Sequence, residues 1–372
     1  MYPNLYYAFK DLFGIELGFL KMFQSFGVFV ALSFILASVC FSIELKRKEN
    51  EGLLKPDTIQ VLTGQKPGMM DYFFSILIGF IIGFKIVFII LNFPVFLENT
   101  QKAILSLEGN LIGGLLFGFV SGLLKYRDAL KVNASVPVME NKIVHPYEHV
   151  GSMTTIAAIS GLIGAKIFHN LENWGDFVKD PVDALLSFSG LTMYGGLIFG
   201  SISVVYYAHK NKIAVKPLID ACAPGLMLAY GVGRIGCQVA GDGDWGIDNL
   251  SPKPGWLGFM PDWFWAYSYP HNVLNEHLKN PVFPTPLYES IICISLFFLL
   301  WALRKKIKVP AVLFSLYLLL NGIERLFIEQ IRINTKYEIY GLGITQAEII
   351  SSALIVTGVA GIWWFNKQRK VV

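Results

Sequence analysis

Long apolar runs separated by short polar stretches pattern the chain from Leu17 onward. They fall near residues 17–43, 71–93, 109–125, 151–170, 188–208, 218–237, 287–303, 310–328 and 344–364. Each approaches the roughly 20 apolar residues that a helix needs to cross a hydrocarbon core about 30 Å thick. Backbone groups in lipid must be satisfied within their own segment. The runs are also continuous rather than alternating, so they predict helices and not barrel strands. The fold class expected is an all-α polytopic membrane protein of about nine transmembrane helices, with residues 1–372 forming a single integral membrane domain.

Charge then orients the spans. ELKRKEN (44–50) follows the first run at once, and positive charge beside a span marks the cytoplasmic side, so the N-terminus is expected outside. An odd number of spans puts the C-terminus inside, where NKQRK (366–370) agrees. Lys125 with Arg127, His209 to Lys212, and Arg304 to Lys308 fall on the same side. Two longer segments are then external, 171–187 and a periplasmic loop region at 238–286 that holds Trp245, Trp256, Trp263 and Trp265. Such aromatics, like those of residues 1–17, suit the membrane–water boundary.

The spans are not independent of one another. GFIIGFKIVF (79–88) lines up with SGLIGAKIFH (160–169), and AILSLEG (103–109) with ALLSFSG (184–190), at an offset of roughly 81 residues. Residues 71–128 therefore read as an inserted helical hairpin resembling 151–210. A copied hairpin has an even number of spans, so the repeat is parallel, unlike the inverted repeats of many transporters. Lys85 matches Lys166, whereas Tyr194 is replaced by Ile112.

Composition narrows the class further. The chain is 54% hydrophobic and 16% charged, with mean hydropathy +0.52, which makes the bilayer its expected solvent. A net charge of +4 implies no nucleic acid. Cys40, Cys222, Cys237 and Cys293 form no CxxC, so neither a disulfide framework nor a metal site is read, and no cofactor is implied. The first apolar stretch starts late and runs past signal-peptide length.

Charges inside such a chain need a reason, and Tyr230–Gly246 (YGVGRIGCQVAGDGDWG) holds the densest set. Gly231, Gly233 and Gly236 satisfy GxGxxG, but a dinucleotide site needs a strand before it, and here a span precedes it. Those glycines are expected to allow close helix packing or a helix break. Arg234 lies about 17 residues, or roughly 25 Å of helix, beyond Pro217, which places it near the outer leaflet. It is either a snorkelling anchor or part of a polar cavity completed by Asp242 and Asp244. A second cluster, NGIERLFIEQIRIN, sets Arg325, Glu329 and Arg332 at i, i+4 and i+7, on one expected helical face. LTMYGGLIFG brings Tyr194, Gly195 and Gly196, and FPTPLYESI brings Tyr288 and Glu289, into the membrane from the same side. Two outer-leaflet arginines in apolar walls suit a lipid phosphate, because a guanidinium binds two phosphate oxygens with parallel N–H bonds.

These stretches resemble one family. GRIGCQVAGD is similar to the GRxGNFxNGE signature of the prolipoprotein diacylglyceryl transferases, LTMYGGLIFG to their HGGLIGG, FPTPLYE to their HPxQLYE, and ERLFIEQIR to their RFxxEFxR. The motifs follow in the family's order. The resemblance implies a bacterial inner-membrane enzyme of seven spans, to which the hairpin at 71–125 adds two. It implies transfer of the diacylglyceryl group of phosphatidylglycerol to the lipobox cysteine thiol of a prolipoprotein signal peptide, releasing glycerol phosphate, at a site facing the outer leaflet and periplasm. Arg234 and Arg325 match the family's essential arginines, Asp242 its signature acid, and Glu329 and Arg332 its distal pair. Tyr194, Arg234, Arg325 and Asp242 are then the expected catalytic residues, and Arg234, Arg325, Glu329, Arg332, Tyr288, Glu289, Gly195 and Gly196 the expected phosphatidylglycerol site.

Three positions depart from the family pattern: Tyr194 and Phe283 stand where it has histidine, and Cys237 where it has asparagine. A tyrosine of pKa about 10 is a poor base toward a thiol of about 8.5. Either the arginines depress Tyr194, or it only orients groups, or Asp242 takes the proton. The competing reading from another class is a membrane transporter or phospholipid-binding protein with a degenerate transferase site.

Overall fold

The computed structural model describes residues 1–63, 66–98, 103–104, 106–131, 138–187, 190–339 and 342–369. Among them, the helices of eight or more residues are α1 (Leu5–Phe13), α2 (Ser25–Asn50), α3 (Met69–Leu91), α4 (Leu111–Lys131) and α5 (Val150–Glu172). They continue with α6 (Met193–Lys210), α7 (Val215–Ala240), α8 (Thr285–Leu303), α9 (Val312–Glu329) and α10 (Gln346–Arg369). Six are long and apolar enough to cross a membrane by length and composition: α2, α3, α5, α7, α8 and α10. Helix α9 carries Glu324, Arg325 and Glu329, α4 carries Lys125, Arg127 and Asp128, and α6 dilutes its apolar residues with glycine, tyrosine and a basic end. The architecture fits an all-α, multi-pass membrane protein.

Element ends shift where side chains extend or stop a helix. The run expected at 17–43 is a 3-10 turn, Gly18–Met22, followed by α2, which continues through ELKRKEN. Arg47 pairs with Glu44 at 2.8 Å and with Glu51 at 2.6 Å, contacts between successive turns that favour continuation. The run expected from 188 becomes α6 only at Met193, and 188–189 lie outside the described residues. Two antiparallel ribbons were not expected, β1 (Asp57–Thr63) with β2 (Val138–Val144) and β3 (Lys336–Ile339) with β4 (Leu342–Thr345). The first brackets α3 and α4 and pairs Ile59 with Lys142 and Val61 with Glu140.

The chain divides into two compact units. One comprises Met1–Lys55, His145–Thr154 and Val205–Val372, and the other Pro56–Val144 and Thr155–Val204. In the first, Cys40, Ala223, Met227, Cys293, Phe297, Leu300 and Leu313 form a core shared by α2, α7, α8 and α9. Near the start of α7, buried Asp220 accepts from the Ala311 and Phe314 amides at 2.8 Å each, satisfying donors that the start of α9 leaves open.

In the second unit α3 packs on α4, and α5 on α6, through glycines. On Gly83 a Cβ would lie 2.3 Å from the Gly113 carbonyl oxygen and 2.4 Å from Phe117 Cβ. On Gly164 it would lie 2.5 Å from both the Gly195 carbonyl oxygen and Phe199 Cβ. The lysines correspond as well. Lys85 donates to the carbonyls of Ser106, Ala103 (3.1 Å) and Glu108 (2.9 Å), and Lys166 to the Ser187 carbonyl and hydroxyl at 2.8 Å each. Both helix pairs thus pack through glycine and use a lysine to anchor the loop between their two helices. Gly164→Val is expected to cost about 1–3 kcal/mol by overpacking. The check is thermal unfolding in detergent against Gly151→Val, where a Cβ meets nothing within 4 Å. Equal melting of the two variants would exclude the tight contact.

Candidate active site

Three helix ends of the first unit meet around one buried carboxylate. Helix α7 ends at Gly241, whose φ of +64° is the left-handed conformation that glycine adopts cheaply, and Arg234 sits two turns before that end. Helix α8 starts in the FPTP stretch, with proline in its first turn, so Glu289 enters one turn inside the helix. Helix α9 brings Arg325 and Glu329 on successive turns. Arg332 arrives differently. The sequence places it on the same helical face, but α9 stops at Glu329, and Arg332 is held by a bridge to Gly246, with Ile247 N donating to the Ile331 carbonyl at 2.9 Å. A Cβ on Gly246 would sit 2.4 Å from that carbonyl oxygen, so the approach needs a glycine.

Glu289, with no exposed surface, is the hub. Its Oε2 lies 2.7 Å from Arg234 Nε, and its Oε1 lies 2.8 Å from Arg325 Nη1 and 3.3 Å from Arg332 Nη1. The Tyr230 hydroxyl donates to Oε1 at 3.2 Å. Asp244 joins Arg234 to Arg332 through its two oxygens. Glu329 Oε2 lies 3.1 Å from Arg325 Nη2, an ion pair without hydrogen-bond alignment, and its Oε1 accepts from Asn334 at 2.6 Å. Three arginines thus face three carboxylates, Glu289, Asp244 and Glu329. The positive charge that the α9 motif leaves over is balanced from α8 and from the loop that follows α7. Arg234 is only 8% exposed, so it is a member of this network and not a snorkelling anchor.

The structure brings together Arg234, Arg325, Glu329, Arg332 and Glu289 directly. Asp242 adjoins them, its Oδ1 accepting from the Asp244 amide at 3.3 Å, while Asp244 rather than Asp242 makes the arginine contacts. Burial pushes the Asp242 carboxyl above the usual carboxylate range. Burial acts the same way on Asp244, but Arg234 and Arg332 outweigh it and hold that group below the usual range. Tyr288 gives its hydroxyl to the Phe264 carbonyl at 2.7 Å and so anchors the loop. Tyr194, Gly195 and Gly196 lie at the start of α6 in the second unit, where Gly195 packs against Gly164.

Several contributors carry a weaker sequence signal. Thr285, fully buried, donates to the Asp244 carbonyl at 2.7 Å and fixes the backbone of the loop. Glu324, 4% exposed, has neither carboxylate oxygen hydrogen-bonded among the described residues. Trp245, expected at the membrane boundary, is buried against Tyr269 and Val282, whereas Trp256 is 74% exposed. Cys237 Sγ and oxygens of Asp242 and Asp244 lie within 4.8 Å of one another, but two guanidiniums crowd Asp244, surroundings that disfavour a cation. The GxGxxG glycines lie inside α7, and two of them serve packing: a Cβ on Gly231 would press on Ile294 at 2.9 Å and one on Gly236 on Phe29 at 2.9 Å, whereas one on Gly233 would meet nothing within 4 Å.

Buried guanidiniums paired with carboxylates at the ends of long apolar helices mark a multi-pass membrane protein that carries a polar cluster. The family model described as prolipoprotein diacylglyceryl transferase matches residues 116–364. A phosphatidylglycerol–prolipoprotein diacylglyceryl transferase of Clostridium tetani is 32% identical over 223 residues, 60% of this chain and 82% of the relative. One of Dehalococcoides mccartyi is 29% identical over 226 residues, 60% of this chain and 79% of the relative. The chain belongs to the prolipoprotein diacylglyceryl transferase family. The match begins inside α4, so α3 precedes it.

Proposed function

We propose that this protein transfers the diacylglyceryl group of phosphatidylglycerol to the lipobox cysteine thiol of prolipoproteins. The observation that carries the reading is the cluster of Arg234, Arg325 and Arg332 around Glu289, at positions within the family match. In the reaction, sulfur attacks the glyceryl carbon that bears the phosphate ester. The S–C bond forms, the C–O bond breaks, and its electron pair leaves on the phosphate of glycerol phosphate. Arginines fixed beforehand by buried carboxylates stabilise that developing charge without reorganising. The thiol proton goes to a base, and Asp242 is the stronger candidate: its burial keeps its affinity for a proton above that of an ordinary carboxylate.

The basic ends of α2, α4, α6 and α8 support nine spans with the N-terminus outside and the C-terminus inside, in the bacterial cytoplasmic membrane. The cluster then faces the outer leaflet and periplasm, where lipid enters sideways and the signal peptide presents its cysteine.

The test is mass spectrometry of a lipobox peptide incubated with the full chain in phosphatidylglycerol vesicles. An added diacylglyceryl group is the expected product. Lipid bound without an adduct would instead establish the binding-protein alternative. Asp242→Asn is expected to slow the reaction about a hundredfold, at the low end of what a positioned base supplies. If Asp242→Asn stays fully active while Tyr194→Phe is dead, the proton goes to Tyr194.

A further inference from the structure

Arg234 and Arg332 are bridged twice. Glu289 joins them on one side, 2.7 Å from Arg234 Nε and 3.3 Å from Arg332 Nη1, and Asp244 joins them on the other, one oxygen to each guanidinium. The two acids differ in exposure: the side chain of Glu289 is wholly buried, and that of Asp244 is 34% exposed. Arg325 by contrast faces Glu289 and Glu329, both with wholly buried side chains. A phosphodiester monoanion added to these arginines brings one further negative charge among buried carboxylates unless a carboxylate departs. Only Asp244 can return to water without leaving a buried charge uncompensated.

The geometry points to Asp244 as the stand-in for the substrate's phosphate. The phosphoryl group of an anionic lipid replaces the Asp244 carboxylate on the Arg234–Arg332 pair, one non-bridging oxygen to each guanidinium, and Arg325 remains in the hub. One negative charge is exchanged for another, so the net charge of the cluster is unchanged. The backbone of Asp244 stays in place, held by the Thr285 hydroxyl at 2.7 Å and by Asp242 at 3.3 Å, and the side chain swings out alone. The phosphate subsite is therefore Arg234 with Arg332, not Arg234 with Arg325. This assignment rests on the proposed transferase function for the identity of the lipid, but not for its charge.

Binding of fluorescent phosphatidylglycerol to the full chain in phosphatidylcholine nanodiscs tests it, with glycerol phosphate as the soluble competitor. Asp244→Asn, which removes the competing charge, is expected to tighten binding about tenfold. Arg332→Lys is expected to weaken it about tenfold or more, and more than Arg325→Lys does. Thermal unfolding of each variant separates lost binding from lost fold, and Asp244→Ser serves if the asparagine variant folds poorly. Tightening toward glycerol phosphate as well as lipid shows a subsite that reads phosphate alone, and tightening toward lipid only shows one that reads the membrane-held headgroup; either supports the exchange. Unchanged or weaker binding by folded Asp244→Asn overturns it, as does a larger loss from Arg325→Lys than from Arg332→Lys. If binding behaves as expected but no lipobox peptide is modified, the subsite stands and the transferase reading fails.

Discussion

Glu289→Gln is expected to lose thioether-forming activity by about a thousandfold and to destabilise the protein by about 3–5 kcal/mol, the cost of removing one partner from a buried ion cluster. Glutamine has nearly the same shape but carries no charge, and its amide group would place a donor against a guanidinium. Arg234 Nε, Arg325 Nη1 and Arg332 Nη1 all converge on the Glu289 carboxylate, so one substitution leaves three cations facing two remaining acids, Asp244 and Glu329. Glu289→Asp keeps the charge on a stem shorter by one methylene. It should be intermediate, since it can hold some but not all of these contacts. Thermal unfolding in detergent and the lipobox-peptide assay measure the two effects. A glutamine variant that melts normally and works within tenfold of the wild type would remove Glu289 from the centre of the site.

The sequence marks this region because charge is conspicuous in an apolar run. Arg234 and Arg325 stand out as polar residues whose burial needs a partner. What sequence spacing does not reveal is which partner each finds. Glu289 reads as one acid in FPTPLYESI, yet it collects arginines from α7, α9 and the turn after α9, elements that only the folded chain brings together. Asp242 and Asp244 are two residues apart in GDGDWG, and the turn that begins at left-handed Gly241 decides which carboxylate meets the guanidiniums. Arg332 fits a helical period with Arg325 and Glu329, but the chain leaves the helix and reaches the site through backbone pairing with Gly246. The helices are legible for the complementary reason that hydrophobicity at their length is a local signal. The DTIQVLT and VMENKIV strands pair across α3 and α4, a non-local contact invisible to a window of sequence. Trp245 shows the same limit, since an aromatic's composition suits a membrane boundary as well as the small loop core in which it is buried.

Arg234→Lys is expected to reduce the rate about 10²–10³-fold, the loss typical of removing one fixed donor from a site of developing charge. The substitution keeps the positive charge, so what it tests is shape. Arg234 engages Glu289 through Nε and Asp244 through Nη1, and it holds the two acids apart on separate edges of one plane. A lysine ammonium lacks the planar fork that reaches Glu289 and Asp244, or the phosphate in place of Asp244, from two separate edges. Folding should survive better than in Glu289→Gln, because Glu289 retains Arg325 and Arg332 and the cluster keeps its charge count. The matched control is Arg304→Lys, which alters the pair between Arg304 Nε and Glu44, 2.7 Å apart, at the other end of α8. That variant should melt earlier but transfer lipid at close to the normal rate once folded. If Arg234→Lys is no slower than Arg304→Lys, Arg234 supplies only charge, and both the two-pronged hold on Glu289 and Asp244 and the phosphate subsite built on it lose their chemical basis.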